Sequence, residues 1–320
     1  MNAVEIAKKY IRSLETKKMN KKIPLIVDCN PGIDDALALM LLSDNLDKFD
    51  VKLITSCAGN TPIDLTTNNI QFFAKHFFPG VKVAKGSRTA LVKNHVLNPS
   101  DINGPDGLGK YNIGEQDYPV LQNAVEEIAN VLTESDEAVT IVTLGPLTNI
   151  AKVAILYPEL KQKIACIYSM IGSIDGTGNI TDFSELNSYF DPEAFDLITK
   201  SGIKLIVNPM QVGNETRILK SIFERMSEVS IRDSLVKTLA QSLNDTENYV
   251  CLHDVNTIVA LSKPEFYEFV PCNIDVYTIP EIGGKTEIVE DEDGNNFVQK
   301  VKDAAELKKY ILKALFKKVD

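Results

Sequence analysis

Paired cysteine motifs are missing. The five cysteines (Cys29, Cys57, Cys166, Cys251 and Cys272) are odd in number and scattered along 320 residues, a spacing that supplies neither a disulfide framework nor a zinc site. Positive charge is in deficit, with 34 Lys and Arg against 44 Asp and Glu, giving a net charge of −10. Nucleic-acid backbones and anionic membranes both reward a positive surface, so neither is expected as the main partner. No apolar run approaches the ~18–20 residues that span a bilayer. Tryptophan is absent and histidine occurs only three times. What remains is ordinary globular composition, 44% hydrophobic and 24% charged, which excludes disordered and fibrous classes.

Residues 1–20 place Val4, Ala7, Ile11 and Leu14 on a helical stripe, with Lys and Arg between them. The segment has no uninterrupted apolar core of the kind an export signal needs, and it contains Glu, which suits a mitochondrial presequence poorly. It is expected to be an amphipathic extension of a cytoplasmic protein, packing on the body or mediating assembly. Residues 21–320 are expected to form one domain.

From Ile23 onward strands alternate with helices. IPLIVD (23–28), VKLITSCAG (51–59), VKVAK (81–85), AVTIVTLG (138–145), KIACIYSMIG (163–172) and IKLIVNP (203–209) are short apolar runs suited to buried strands. Helices are expected after Asp34, over 62–77, near 120–134, over 146–156 and from Pro192. Residues 218–262 should be mainly helical. Residues 268–301 should be strand-like around EDEDGNN (290–296), as a hairpin turn, before a last amphipathic helix from Ala304. The alternation predicts an α/β fold: an open, mostly parallel twisted sheet with helices on both faces. In such sheets ligands sit at the carboxyl ends of the strands. Asp28–Asp35, Gly59-Asn60, Leu144-Gly145 and Met170–Asn187 all fall there and point to one crevice.

VDCNPGIDD (27–35) carries the chemistry. Asp28 and Asn30 are two apart, so an extended strand end points both the same way. Pro31-Gly32 then turns the chain and returns Asp34 and Asp35 to the same mouth. Converging carboxylates repel one another unless a hard cation neutralises them, and oxygen ligands favour Ca²⁺ or Mg²⁺ over zinc. An EF-hand loop starting at Asp28 needs glycine sixth and glutamate twelfth, where Ile33 and Leu39 stand. A haloacid-dehalogenase-type phosphatase would want an aspartate where Asn30 stands.

VDCNPGIDDALAL resembles the N-terminal signature DxDPGxDDA of the calcium-dependent, inosine–uridine-preferring nucleoside hydrolases. CAGN (57–60), GPDGLG (104–109), VTLGPLTNIA (142–151), GNITDFSELNSYFDPEAF (178–195) and LHDVNTIVAL (252–261) resemble that family's later motifs, in order and spacing. The resemblance implies hydrolysis of ribonucleosides to ribose and free base by a Ca²⁺-activated water, in a homodimer or homotetramer. It implies Ca²⁺ ligands at Asn30, Asp35, Asp254 and the Leu144 carbonyl, with Asp28 behind them orienting ligands. Asp34, Asn60, Asn179, Glu185 and Asn187, together with Asp254, would hold the ribose. His253 is the candidate acid for base departure, because histidine titrates near neutrality. His76 and His95 are expected to be structural or surface residues, and Tyr249 is open between a base contact and core packing. With no tryptophan, purine activation by an indole is excluded.

The chain departs from the family at Asn30, where the resemblance implies an aspartate serving as both ligand and general base. An amide oxygen can coordinate Ca²⁺ but brings no charge and accepts no proton at neutral pH. A loss of about 10²–10⁴-fold in rate is expected. The substitution could instead mark a catalytically silent nucleoside- or ribose-binding homologue, an engineered trap, or a base role moved to Asp28 or Asp34. Asn103 stands where the family often has a histidine that assists pyrimidine departure, so a pyrimidine preference loses support. Ile171 replaces a glycine, which should alter loop packing only.

Overall fold

The computed structural model describes residues 21–93, 103–228, 230–242 and 248–316. The expected helix over 1–20 and His95 lie outside them. Nine strands form one sheet: β1 (Ile23–Cys29), β2 (Phe49–Ser56), β3 (Lys82–Ala84), β4 (Val139–Thr143), β5 (Ile164–Met170), β6 (Leu205–Asn208), β9 (Tyr267–Val276), β10 (Thr286–Glu290) and β11 (Asn296–Val301). Two short strands, β7 (Ile218–Leu219) and β8 (Tyr249–Val250), pair separately inside the stretch expected to be mainly helical.

The sheet order is β10-β9-β11-β6-β5-β4-β1-β2-β3. From β3 to β11 every neighbouring pair is parallel, and β9 alone runs antiparallel to its neighbours β10 and β11. The apolar runs sort by parity onto two cores. Leu25, Val27, Val142, Tyr168 and Ile206 face one, while Ile26, Ile141, Ile167, Leu205 and Val207 face the other. Each core is roofed by helices, which is why the strands are apolar on both faces. The helix Ile33–Ser43 is buried along almost its whole length, so it shows no polar stripe. It packs against the helix His253–Ser262, which in turn contacts β5 and β6.

The chain leaves β1 for β2 and β3 on one side, then returns to β4 on the other. The carboxyl ends of β1 and β4 therefore flank the crevice where the winding direction reverses, the place in an open α/β sheet where a ligand finds room. Asp28 pairs with Thr143 there.

The acidic segment 290–296 is not a hairpin turn. β10 and β11 lie on opposite sides of β9, each antiparallel to it, so the connection crosses over that strand. Asp291 N–H donates to the Pro271 carbonyl on the way. A Cβ on Gly294 would lie 2.5 Å from the Cys272 carbonyl oxygen, so only glycine passes this close. Turn composition cannot tell a hairpin from a crossing, because both need glycine and polar residues.

Candidate active site

β1 ends with Asp28 sealed from solvent. Its Oδ1 accepts from Thr55 Oγ1 (2.5 Å) and Asn149 Nδ2 (2.8 Å), while Oδ2 is buried without a partner. Burial pushes its carboxyl up to about 7, and the two hydrogen bonds offset only part of that. Asn149 is itself anchored to the Ser56 carbonyl (3.0 Å), which ties β1 to β2.

The turn after β1 folds around Asp35, whose Oδ1 accepts from Asn30 N–H (3.2 Å) and Oδ2 from Gly32 N–H (3.1 Å). Asn60, from the end of β2, donates through Nδ2 to Asp35 Oδ2 (3.0 Å) and to the Asn30 carbonyl (3.2 Å). The helix start carries the second aspartate across to another element: Asp34 Oδ2 accepts the Asp254 backbone N–H (2.9 Å). The Asp35 and Asp254 carboxyls lie within hydrogen-bonding reach of each other. Desolvation is the main cause pushing Asp34, Asp35 and Asp254 above the usual carboxylate range, and their mutual repulsion, with Glu185 adding to it, raises Asp254 further.

β5 delivers the sugar-side residues through the loop that follows it. Glu185 is buried and caps the short helix Leu186–Phe190, accepting from Asn187 N–H (2.8 Å), Ser188 N–H (3.0 Å) and Gly172 N–H (3.0 Å). Burial nevertheless pushes it up to about 7. Asn187 Nδ2 donates to the carbonyls of Leu144 (2.9 Å) and Met170 (3.0 Å), which places its side chain between β4 and β5. Its Oδ1 is buried without a partner. Asn179 differs: it is exposed, and its Oδ1 is occupied by Leu186 N–H (2.9 Å).

His253 is half-buried at the start of its helix, against Gly213, where any side chain would overlap the imidazole. Burial pushes it down to about 4, with a bond to the Met210 backbone pulling weakly the other way. The ring is thus neutral at neutral pH, not poised near neutrality as its residue type alone suggests. His76 is exposed and stacks on Phe72 at 4.7 Å, and Tyr249 lies under Arg217 at 4.6 Å.

Three residues of this site escape motif reading. Asn103 is no mere gap in a motif: Oδ1 accepts Ile33 N–H (3.2 Å) and Nδ2 donates to Asn60 Oδ1 (3.1 Å). Asn208, at the end of β6, donates to the His253 carbonyl (2.7 Å) and Thr257 Oγ1 (2.7 Å). Its position at a strand end was the available signal. Gln211 donates to Ser173 Oγ (2.8 Å) and Asp175 Oδ1 (2.5 Å) and accepts Ile174 N–H (3.0 Å). Nothing in its sequence neighbourhood announced it.

Both the sequence and the fold have counterparts among known proteins. The family model of the inosine-uridine preferring nucleoside hydrolases matches residues 25–309. The chain belongs to that family. It is 34% identical over 268 residues to the pyrimidine-specific ribonucleoside hydrolase RihA of Enterobacter sp. (strain 638), covering 80% of this chain and 84% of the relative. The Klebsiella pneumoniae RihA is 33% identical over 269 residues, 80% of this chain and 85% of that protein. Among solved structures, the plant nucleoside hydrolase PpNRh1 superposes with a TM-score of 0.83 at 24% identity, over 92% of this chain and 99% of the other. A purine-preferring ribonucleoside hydrolase from Gardnerella vaginalis gives 0.83 at 22% identity, over 91% and 98%. Those two likenesses establish the fold. Membership in the family places this nucleoside hydrolase among enzymes that cleave ribonucleosides.

The resemblance implies a bound divalent cation, and the residues present suit one. Asp35 and Asp254 are adjacent, buried and raised, the Leu144 carbonyl adds a hard oxygen donor, and the buried Asp34 Oδ1 has no partner. Among the described residues no three His, Cys, Asp or Glu side chains group as a metal cluster. The donor set that the resemblance implies would instead be two carboxylates, a carbonyl and the Asn30 amide. It is poorer in charge by one than the aspartate-bearing motif.

Proposed function

We propose that this nucleoside hydrolase cleaves the N-glycosidic bond of ribonucleosides to ribose and free base with Ca²⁺ as cofactor, at a rate depressed by Asn30. The supporting observation is the convergence of Asp35, Asp254, Asn30 and the Leu144 carbonyl beside Glu185 and Asn187 at the reversal point of the sheet. Asp35, Asp254, Leu144 O and the Asn30 amide oxygen would hold the ion, which when bound supplies a Lewis acid that positions and acidifies a water.

Asp34, Asn60, Asp254, Glu185, Asn187 and Asn179 bind and orient the ribose. Glu185, Asp34 and Asp35 add negative potential beside the sugar, which favours the oxocarbenium-like charge of the transition state. Asp28 holds the end of β1 in place through Thr55 and Asn149. His253, neutral, assists base departure as a hydrogen-bond donor instead of a preformed imidazolium. Asn30 cannot take the proton from water, and this is the step that suffers.

The names of the curated relatives support uridine and cytidine as the first probes, with inosine beside them. The test is release of reducing sugar from each nucleoside by the purified protein with Ca²⁺. A slow but measurable rate is expected, and Asn30→Asp should raise it by roughly 10²–10⁴-fold. Absence of turnover in both proteins with every nucleoside would overturn the reading.

A further inference from the structure

Asn30 is held on every side. Its backbone is bonded to Asp35 and Asn60 (3.2 Å each), and its side chain has no exposure. Gly59 and Gly145 wall the amide so closely that a Cβ on either would overlap it. The side chain therefore cannot swing aside; it can only turn over about its last bond. One orientation sets an N–H against the Asn60 N–H and an oxygen against the Asp35 carboxylate. The other lets Oδ1 accept Asn60 N–H (3.0 Å) and Nδ2 donate to Asp35 Oδ1 (3.2 Å). The second is the ground state, because mismatched polar pairs out of contact with water are expensive.

We propose that Asn30 is an internal substitute for a cation: its amide Nδ2–H bridges to Asp35 in the metal-free protein, and a divalent ion binds only by breaking that bond and turning the amide over. The inference rests on the reading of this cleft as a metal-dependent ribohydrolase site, but its subject is the metal-free state. An aspartate at position 30 would put a carboxylate oxygen 3.2 Å from Asp35 Oδ1 in a buried site, a repulsion relieved only by a cation or a shared proton. The amide removes the repulsion and supplies a donor. Metal affinity falls twice over, through the lost charge and through the Asn60 N–H that must give up its acceptor. Cohesion of the cleft is thereby separated from metal supply.

The full-length protein, Asn30→Asp and Asn30→Ala are compared by thermal unfolding in EGTA and in saturating CaCl₂, with calorimetric Ca²⁺ titration of each. In EGTA, Asn30→Asp is expected to melt several degrees below the wild type. In CaCl₂ the order reverses, with Ca²⁺ bound at least about tenfold more tightly by the variant. Asn30→Ala removes the donor without adding charge, so it loses stability in EGTA and Ca²⁺ does not reverse the order. If Asn30→Asp does not fold without metal, it is purified in CaCl₂ and chelated; unfolding on chelation supports the proposal. A metal-free Asn30→Asp protein as stable as the wild type, or equal Ca²⁺ affinity in the two, overturns it. Nucleoside hydrolysis is assayed on the same samples: reversal of stability without hydrolysis would remove the functional reading and leave the amide bridge standing.

Discussion

Asn103 shows how one side chain can hold a site without touching its chemistry. Its two amide ends satisfy the first backbone donor of the helix Ile33–Ser43 and aim Asn60, which in turn bonds Asp35. Asn103→Ala leaves Ile33 N–H without that acceptor, a loss comparable with removing a helix cap, about 1 kcal/mol. It also removes one of the bonds that aim Asn60 at the position proposed for ribose. The expected result is a lower melting temperature together with a raised KM for nucleoside, while kcat changes less. If KM holds while stability falls, Asn103 acts only on the helix. The sequence showed Asn103 only as a departure from a motif. A hydrogen bond between residues 70 apart leaves no periodic trace in the chain.

Among elements, the loop between β5 and the helix Leu186–Phe190 is held by side chains from two other parts of the chain. Gln211 spends its oxygen and its amide nitrogen on that loop, so it acts on substrate only through the loop's shape. Thr286 pins the other side, donating to the Ser173 carbonyl (2.6 Å) and accepting Ser173 N–H (2.9 Å). Gln211→Glu places a carboxylate against Asp175 and should raise KM several-fold, by about 1 kcal/mol of lost positioning. Adding Asp175→Asn restores a donor–acceptor pair and should recover most of it. Steady-state kinetics of the three variants decide the point: a double variant no better than Gln211→Glu would show that the contact does not position the loop. The strands and helices around this loop were legible from apolar runs and alternation, because burial on both faces demands them. Short β7 and β8 and the crossing at Gly294 were not, since two-residue strands and chain crossings have no period to detect.

The whole molecule carries its buried acids as a pH dependence. Asp28 and Glu185 are raised by burial from 3.8 and 4.5 to about 7. A carboxyl with a raised folded pKa contributes stability that is complete below its unfolded value and is lost as pH climbs through the folded one. In the metal-free protein this contribution should be present near pH 4 and gone above pH ~7. Asp28→Asn isolates the effect from exposed groups. Its melting temperature minus that of the wild type, both in EGTA, should grow between pH 5 and 8 by a few degrees, at roughly 2–4 °C per kcal/mol. A difference that stays level across that range would show that Asp28 is not raised. Added Ca²⁺ should stabilise the wild type more at pH 8 than at pH 5, because the ion binds the ionised acids.

By itself the sequence determined the α/β alternation, the parallel sheet, the family and the position of the acids at strand ends. Each of these is written in local order: apolar runs, turn residues and short motifs. Only the tertiary structure decided how those acids are neutralised. It brought Asp254 against Asp35, sealed Asp28 behind Thr55 and Asn149, kept His253 neutral and enclosed the Asn30 amide beside a carboxylate. Desolvation and hydrogen-bond partnership depend on which groups meet in space, and residues 30, 60, 103 and 254 meet only once the chain has wound its sheet in both directions.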